Sequence, residues 1–143
     1  MSPRLEDHIN KPRNSTREQA LARELRELPE SSRFEFIEQV LAHNNVILGL
    51  ELAKSVLTSK KYFQRLLYHG LEHGDASSIR LWLNCVIPKL GARSVIATLK
   101  REVPDKHAAV ALTLYWLPSL IDRDPRTQAA FKELTHLASE PKD

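Results

Sequence analysis

Residues able to cap a helix recur every 30 positions along this chain, at Ser15, Asn45, Asp75 and Asp105. The side-chain oxygen of Ser, Asn or Asp accepts a hydrogen bond from one of the first backbone N–H groups of a helix, which have no partner inside it. Between these marks the apolar residues return at three- and four-residue spacing, so the punctuation frames helices. Each 30-residue unit therefore reads as one helical hairpin, and a period of this length is the signature of a repeat architecture. The last two units agree further, because Pro88 with Pro118, Leu90 with Leu120, Arg93 with Arg123, and Ser94 with Asp124 share the same offset. The alternative reading is an irregular bundle of eight helices that buries the same faces.

The individual helices follow from their start and stop signals. Ser15 with Glu18 has the spacing of a capping box and opens a first helix that runs to about Leu28, before Pro29. Ser32 with Glu35 repeats that spacing and opens a second helix carrying Phe34, Ile37 and Leu41. Asn44 and Asn45 break the chain before a third, which carries Val46, Leu50, Ala53 and Leu57. A fourth begins near Ser59, shows Phe63, Leu66, Leu67 and Leu71 on one side, and is expected to close on a left-handed Gly74. Asp75 caps a fifth, whose stripe of Ile79, Trp82, Leu83, Val86 and Leu90 marks a core-facing side. Gly91 makes the turn to a sixth, with Val95, Ile96, Leu99 and Val103. Asp105 caps a seventh, apolar nearly all round and so expected to be the most buried. Asp124-Pro125 is a cap followed by a first-turn proline, and the eighth helix points Ala130, Leu134 and Leu137 inward.

Composition supports this class and limits the rest. The 143 residues include only four glycines and no Asn-Gly or Asp-Gly pair, which argues against hairpin-built β structure. Cys85 is the only cysteine, so an intramolecular disulfide and a cysteine-only zinc site are excluded, and a reducing, cytoplasmic setting is expected. The polar start, with Pro3, Arg4, Lys11, Pro12 and Arg13, reads as a flexible tail over residues 1–14 ahead of a single helical repeat domain at 15–143. The longest apolar stretch, Ala108 to Ile121, is too short for a bilayer and holds Pro118, so no membrane partner is expected.

The stretch from Trp116 to Pro125, followed by Ala129-Ala130 and Leu134-Thr-His-Leu-Ala138, resembles one unit of the HEAT-repeat family. Asp122, Asp124, Ala129, Ala130 and Leu134 match that family's turn aspartates, paired alanines and following leucine, with Pro118 as its first-helix proline. Arg126 and Thr127 stand where the family has Val-Arg. The resemblance implies an all-α fold, a stack of about four antiparallel helical hairpins with about eight helices in a HEAT-like α-solenoid. It implies a protein-binding scaffold, or less often a nucleic-acid-binding surface, and no chemistry.

Two patterns bear on chemistry directly. His69-Gly-Leu-Glu72-His73 has the H-x-x-E-H spacing of the inverted zinc metallopeptidases, in which two imidazoles four residues apart share one zinc while the glutamate activates water. That family places a further glutamate ligand beyond the end of this chain, so His73 is read as a helix-terminal residue favouring the dipole and His69 as packed at the rim of the stripe. Cys85 lies on the apolar face between Trp82 and Leu90 with no base placed to activate it. No catalytic, cofactor-binding or metal-binding residues are assigned, and no cofactor is expected. The second pattern is charge. The pI of about 9.1 and net charge of +3 permit an acidic partner, and Lys60, Lys61, Arg65, Lys89, Arg93, Arg123 and Arg126 lie at or beside helix turns. These seven are the candidate contacts to an acidic partner or phosphate. The expected function is a noncatalytic interaction or scaffold module that binds a peptide or protein on a helical surface, with nucleic-acid binding through the basic turns as the alternative.

Overall fold

A computed structural model describes residues 3–9 and 11–140. Among the described residues there are eight α-helices and no strand: α1 Ser15–Arg26, α2 Glu30–Ala42, α3 Val46–Val56, α4 Lys60–His73, α5 Ile79–Leu90, α6 Ala92–Glu102, α7 His107–Leu120 and α8 Pro125–Ser139. A 3₁₀ turn at Leu5–Asp7 precedes them and rests against α2. Odd-numbered helices start 31, 33 and 28 residues apart, a spacing consistent with a repeat-like stack. The chain forms two compact units, residues 1–62 and 63–143, with the division inside α4.

In the first unit α1 and α2 form a hairpin around Leu28 and Pro29, and α3 packs on both. Leu25, Ile37, Val40 and Ala53 are completely buried there. The approach of α3 to α2 requires Gly49, since a Cβ at that position would stand 2.6 Å from Leu41 Cδ2. Between them Asn44 takes φ +60°, the left-handed conformation that Asn tolerates, while Asn45 N–H donates to Val40 O and Asn44 N–H to Leu41 O. This is the bonding of a Schellman helix end, so the Asn-Asn break terminates α2 by its own backbone.

The start signals are partly displaced. The cap of α1 is Asn14, whose Oδ1 accepts from Arg17 N at 2.8 Å, so the expected box at Ser15 sits one residue too late. The predicted box at Ser32 fails by three residues, because Pro29, with φ at −57°, already holds the cap position and α2 begins at Glu30. Asp105 is not the cap of α7, where Lys106 holds that position without a side-chain bond. Ser94 likewise lies inside α6, which starts directly after Gly91. Asp124 does cap α8, accepting from Arg126 N at 2.9 Å, and Asp75 closes a reciprocal box with Ser78 just ahead of α5.

In the second unit α5/α6 and α7/α8 are successive hairpins, with α5 packed on α7 and α6 on α8. First helix lies on first and second on second, as in a stack of hairpins. The α5 stripe is as the spacing predicts, with Ile79, Trp82, Leu83, Val86 and Leu90 all buried. Gly91 joins α5 to α6 as a single residue at φ +87°, a conformation that favours glycine. Gly74 has no such positive φ. It is glycine because a Cβ there would strike the Gly70 carbonyl and crowd Ile79, which follow from the tight end of α4.

The largest correction concerns α7. Only Val110, Thr113 and Leu117 are buried along it, and Tyr115 is 79% exposed. Within its unit α7 packs on α5, α6 and α8, and its buried residues form a single stripe. Its uniform apolarity therefore does not translate into burial, and Ala108, Ala111, Tyr115 and Pro118 face outward.

Candidate functional site

One concavity of the first unit lies between α1 and α3. Residues four apart share a helix face, so Ser15, Gln19, Ala22 and Arg26 of α1 look across to Leu48, Leu52 and Ser55 of α3. They enclose a cavity of about 330 Å³ whose lining also includes Arg13, Glu18, Arg23 and Glu51. Ala22, Leu48 and Leu52 are buried and form its floor, while the walls are polar. The last turns of the two helices are tied where Arg26 Nη2 donates to Ser55 O at 3.3 Å.

Charge along this groove is unevenly compensated. At one end Arg13 makes a two-pronged pair with Glu18, Nε to Oε2 and Nη2 to Oε1, both at 2.7 Å. Those hydrogen bonds hold the Glu18 carboxyl below the ordinary carboxylate range. Glu51 pairs with Lys54 at 3.2 Å. At the other end Arg23 has no carboxylate partner among the described residues, and Arg26 meets only the Ser55 carbonyl. The carbonyls that would draw these cations back to the helix end are already served. Arg33 donates to Arg26 O at 2.8 Å and to Leu28 O at 2.9 Å, and also to Val56 O at 2.9 Å. The groove thus combines an apolar floor, neutral donors and acceptors at Gln19 and Ser55, and two guanidiniums that have no carboxylate partner among the described residues.

The cations expected to contact an acidic partner are distributed over both units. Lys60 and Lys61 lie in the first, at the start of α4, where Lys61 Nζ stands 5.1 Å from the Tyr62 ring. In the second unit Lys89 Nζ lies 5.8 Å from the Phe63 ring, and Arg65 and Arg123 are exposed. Arg126 pairs with Asp124 at 3.1 Å. A side-chain hydrogen bond from Arg126 is the main influence holding that carboxyl below its usual range, and the charge of Arg93 adds to it. Two further cations of this unit are engaged in the same way, Lys100 with Glu133 at 2.5 Å and Lys106 with Glu72. Part of the basic edge is therefore neutralised by its own acids.

The H-x-x-E-H segment ends α4. The His69 ring stacks on Trp82, with centroids 6.4 Å apart and planes 2° from parallel, and His73 lies 5.7 Å from His69. Glu72 accepts from Lys106, which lowers its pKa, so the carboxylate that would activate water is turned to an ion pair. Among the described residues no group of three or more His, Cys, Asp or Glu is placed to hold a metal ion. Cys85 is buried.

Arg13, Gln19, Arg23, Arg26 and Ser55 were not reached from the sequence, because only the packing of α1 on α3 joins them. The available signal was Ala22, a small residue between Gln19 and Arg26 on one face of α1. Comparison of the chain with protein-family models, with curated proteins and with solved structures found no match. No helix among the described residues is long and apolar enough to cross a membrane.

Proposed function

We propose that this protein is a noncatalytic interaction module, a HEAT-like stack of helical hairpins that binds a peptide segment of a protein partner in the α1–α3 groove. The observation that carries this reading is the groove itself, with the buried side chains of Ala22, Leu48 and Leu52 beneath walls that offer hydrogen bonds and charge. Recognition sites commonly join an apolar floor to a few placed polar groups. The ion pair of Arg126 with Asp124 removes one cation from the basic turns, and the phosphates of a nucleic acid need uncompensated cations, which supports a protein partner. A buried lone Cys85 suits a reducing, cytoplasmic setting.

The test is hydrogen exchange on the full chain with and without peptides recovered from a random displayed library. Protection is expected on α1 and α3. Protection confined to α6 and α8, or tight duplex binding that weakens steeply with salt, would favour the basic turns instead.

A further inference from the structure

Resting on that reading of the groove, we infer that its partner segment is acidic, placing an apolar side chain over Ala22, Leu48 and Leu52 and a carboxylate against Arg23 and Arg26. The cavity of about 330 Å³ is at the small end of ligand sites, which run from about 300 to 1,000 Å³, so it holds one or two side chains rather than a cofactor. Its electrostatics select the neighbour of that side chain. Arg13 and Lys54 are consumed by Glu18 and Glu51, whereas Arg23 and Arg26 have no carboxylate partner among the described residues. Arg33 already bonds the Arg26 and Leu28 carbonyls, so these two guanidiniums are not needed to satisfy them. A planar guanidinium matches a carboxylate in two-pronged geometry, and two of them at one end of an apolar floor set both charge and register for an extended or helical segment.

A polyphosphate fits the same lining poorly. Glu18 already occupies Arg13, so the lining offers a row of phosphates only Arg23 and Arg26, while the carboxylates of Glu18 and Glu51 can accept the backbone or side-chain donors that a peptide carries. The complementary segment thus has one or two carboxylates beside an aliphatic or aromatic residue, and it is not polyanionic.

The experiment pans a random dodecapeptide phage library on the full chain. Fluorescein-labelled copies of the enriched peptides are then titrated against wild type, Arg23→Glu, Arg26→Glu, Gln19→Trp and Arg93→Glu, with circular dichroism to confirm that each variant is folded. Enriched peptides should carry Asp or Glu next to Leu, Ile, Phe or Met. Each groove charge reversal should weaken binding about tenfold or more, Gln19→Trp should block it by filling the cavity, and Arg93→Glu should leave it unchanged. Peptides that lack acids, are blocked by Gln19→Trp and bind Arg23→Glu as well as wild type would overturn the acidic partner while leaving the groove reading intact. No enrichment, or binding indifferent to Gln19→Trp, would overturn both. A labelled duplex oligonucleotide bound in place of any peptide, and lost in Arg23→Glu, would assign the groove to nucleic acid and also overturn the inference.

Discussion

Glu30 and Arg33 stand one turn apart at the start of α2, and between them they close the ends of three helices. The Glu30 carboxylate accepts from Thr58 N at 2.5 Å and Ser59 N at 3.0 Å, and from both hydroxyls, so it caps the start of α4 from 28 residues away. Arg33 covers the last carbonyls of α1 and α3. Burial pushes the Glu30 pKa up, but the hydrogen bonds, led by that of the Ser59 hydroxyl, outweigh it and hold the group at about 2. A carboxyl whose pKa is depressed on folding contributes stability above its unfolded value of 4.5 and loses it as pH falls through about 2. Glu30→Ala should therefore cost about 1 kcal/mol near neutral pH, a capping-scale value that allows for solvent screening of a half-exposed group. In urea unfolding the gap between Glu30→Ala and wild type should narrow between pH 4.5 and about 2. A gap constant over that range would mean that the charge contributes nothing. Arg33→Lys should cost about 2 kcal/mol at any of these pH values, because one ammonium cannot reach three carbonyls in a fixed fork.

At the scale of elements, the α4–α5 contact shows how two positions constrain each other. A Cβ on Gly70 would lie 2.8 Å from Trp82 Cγ, and Trp82 is itself 3% exposed. Trp82→Ala should cost about 3–5 kcal/mol by leaving a cavity, and Gly70→Ala about 1–3 kcal/mol by overpacking. The two changes share one space, so Gly70→Ala added to Trp82→Ala should cost little or even recover stability. Additive losses in chemical denaturation would show that the glycine and the indole act independently. The Trp82 stripe was legible in the sequence because its own helix sets the period, and the Asp124 cap because its partner N–H lies two residues on. Glu30 was illegible as a cap, since the groups it serves are joined to it only by folding. The exposure of α7 was illegible for a related reason: an all-apolar helix has no polar face to say which side lacks a neighbour. The groove belongs with these, as Arg23 acquires meaning only when α3 brings Leu48 and Leu52 beside it.

At the scale of the whole molecule, the question is whether the hairpins are separable. In a stack each hairpin is stabilised by itself and by its sequence neighbours, so a run of successive hairpins retains most of its contacts when the rest is removed. The second unit has the means for this. Phe63, Leu83, Val86, Val95, Ile96, Leu99, Val110, Leu117 and Leu134 are all completely buried and all lie within residues 63–143. Lys100 pairs with Glu133, and Gln64 donates to Thr98 Oγ1 at 2.9 Å, so polar links join α4 to α6 and α6 to α8. A fragment of residues 59–143 keeps α4 to α8 whole and is well above the roughly 40 residues below which a domain needs a disulfide or metal. It loses the Glu30 carboxylate from the start of α4, so its first turn should fray while α5 to α8 hold. Far-ultraviolet circular dichroism should show a helical spectrum with a cooperative thermal transition below that of the full chain. Hydrogen exchange should find α4 least protected at Lys60–Lys61 and α6 among the slowest segments. A coil spectrum, or melting without a transition, would mean that the core of the second unit is not self-sufficient, and the nearest-neighbour account of this chain would then fail.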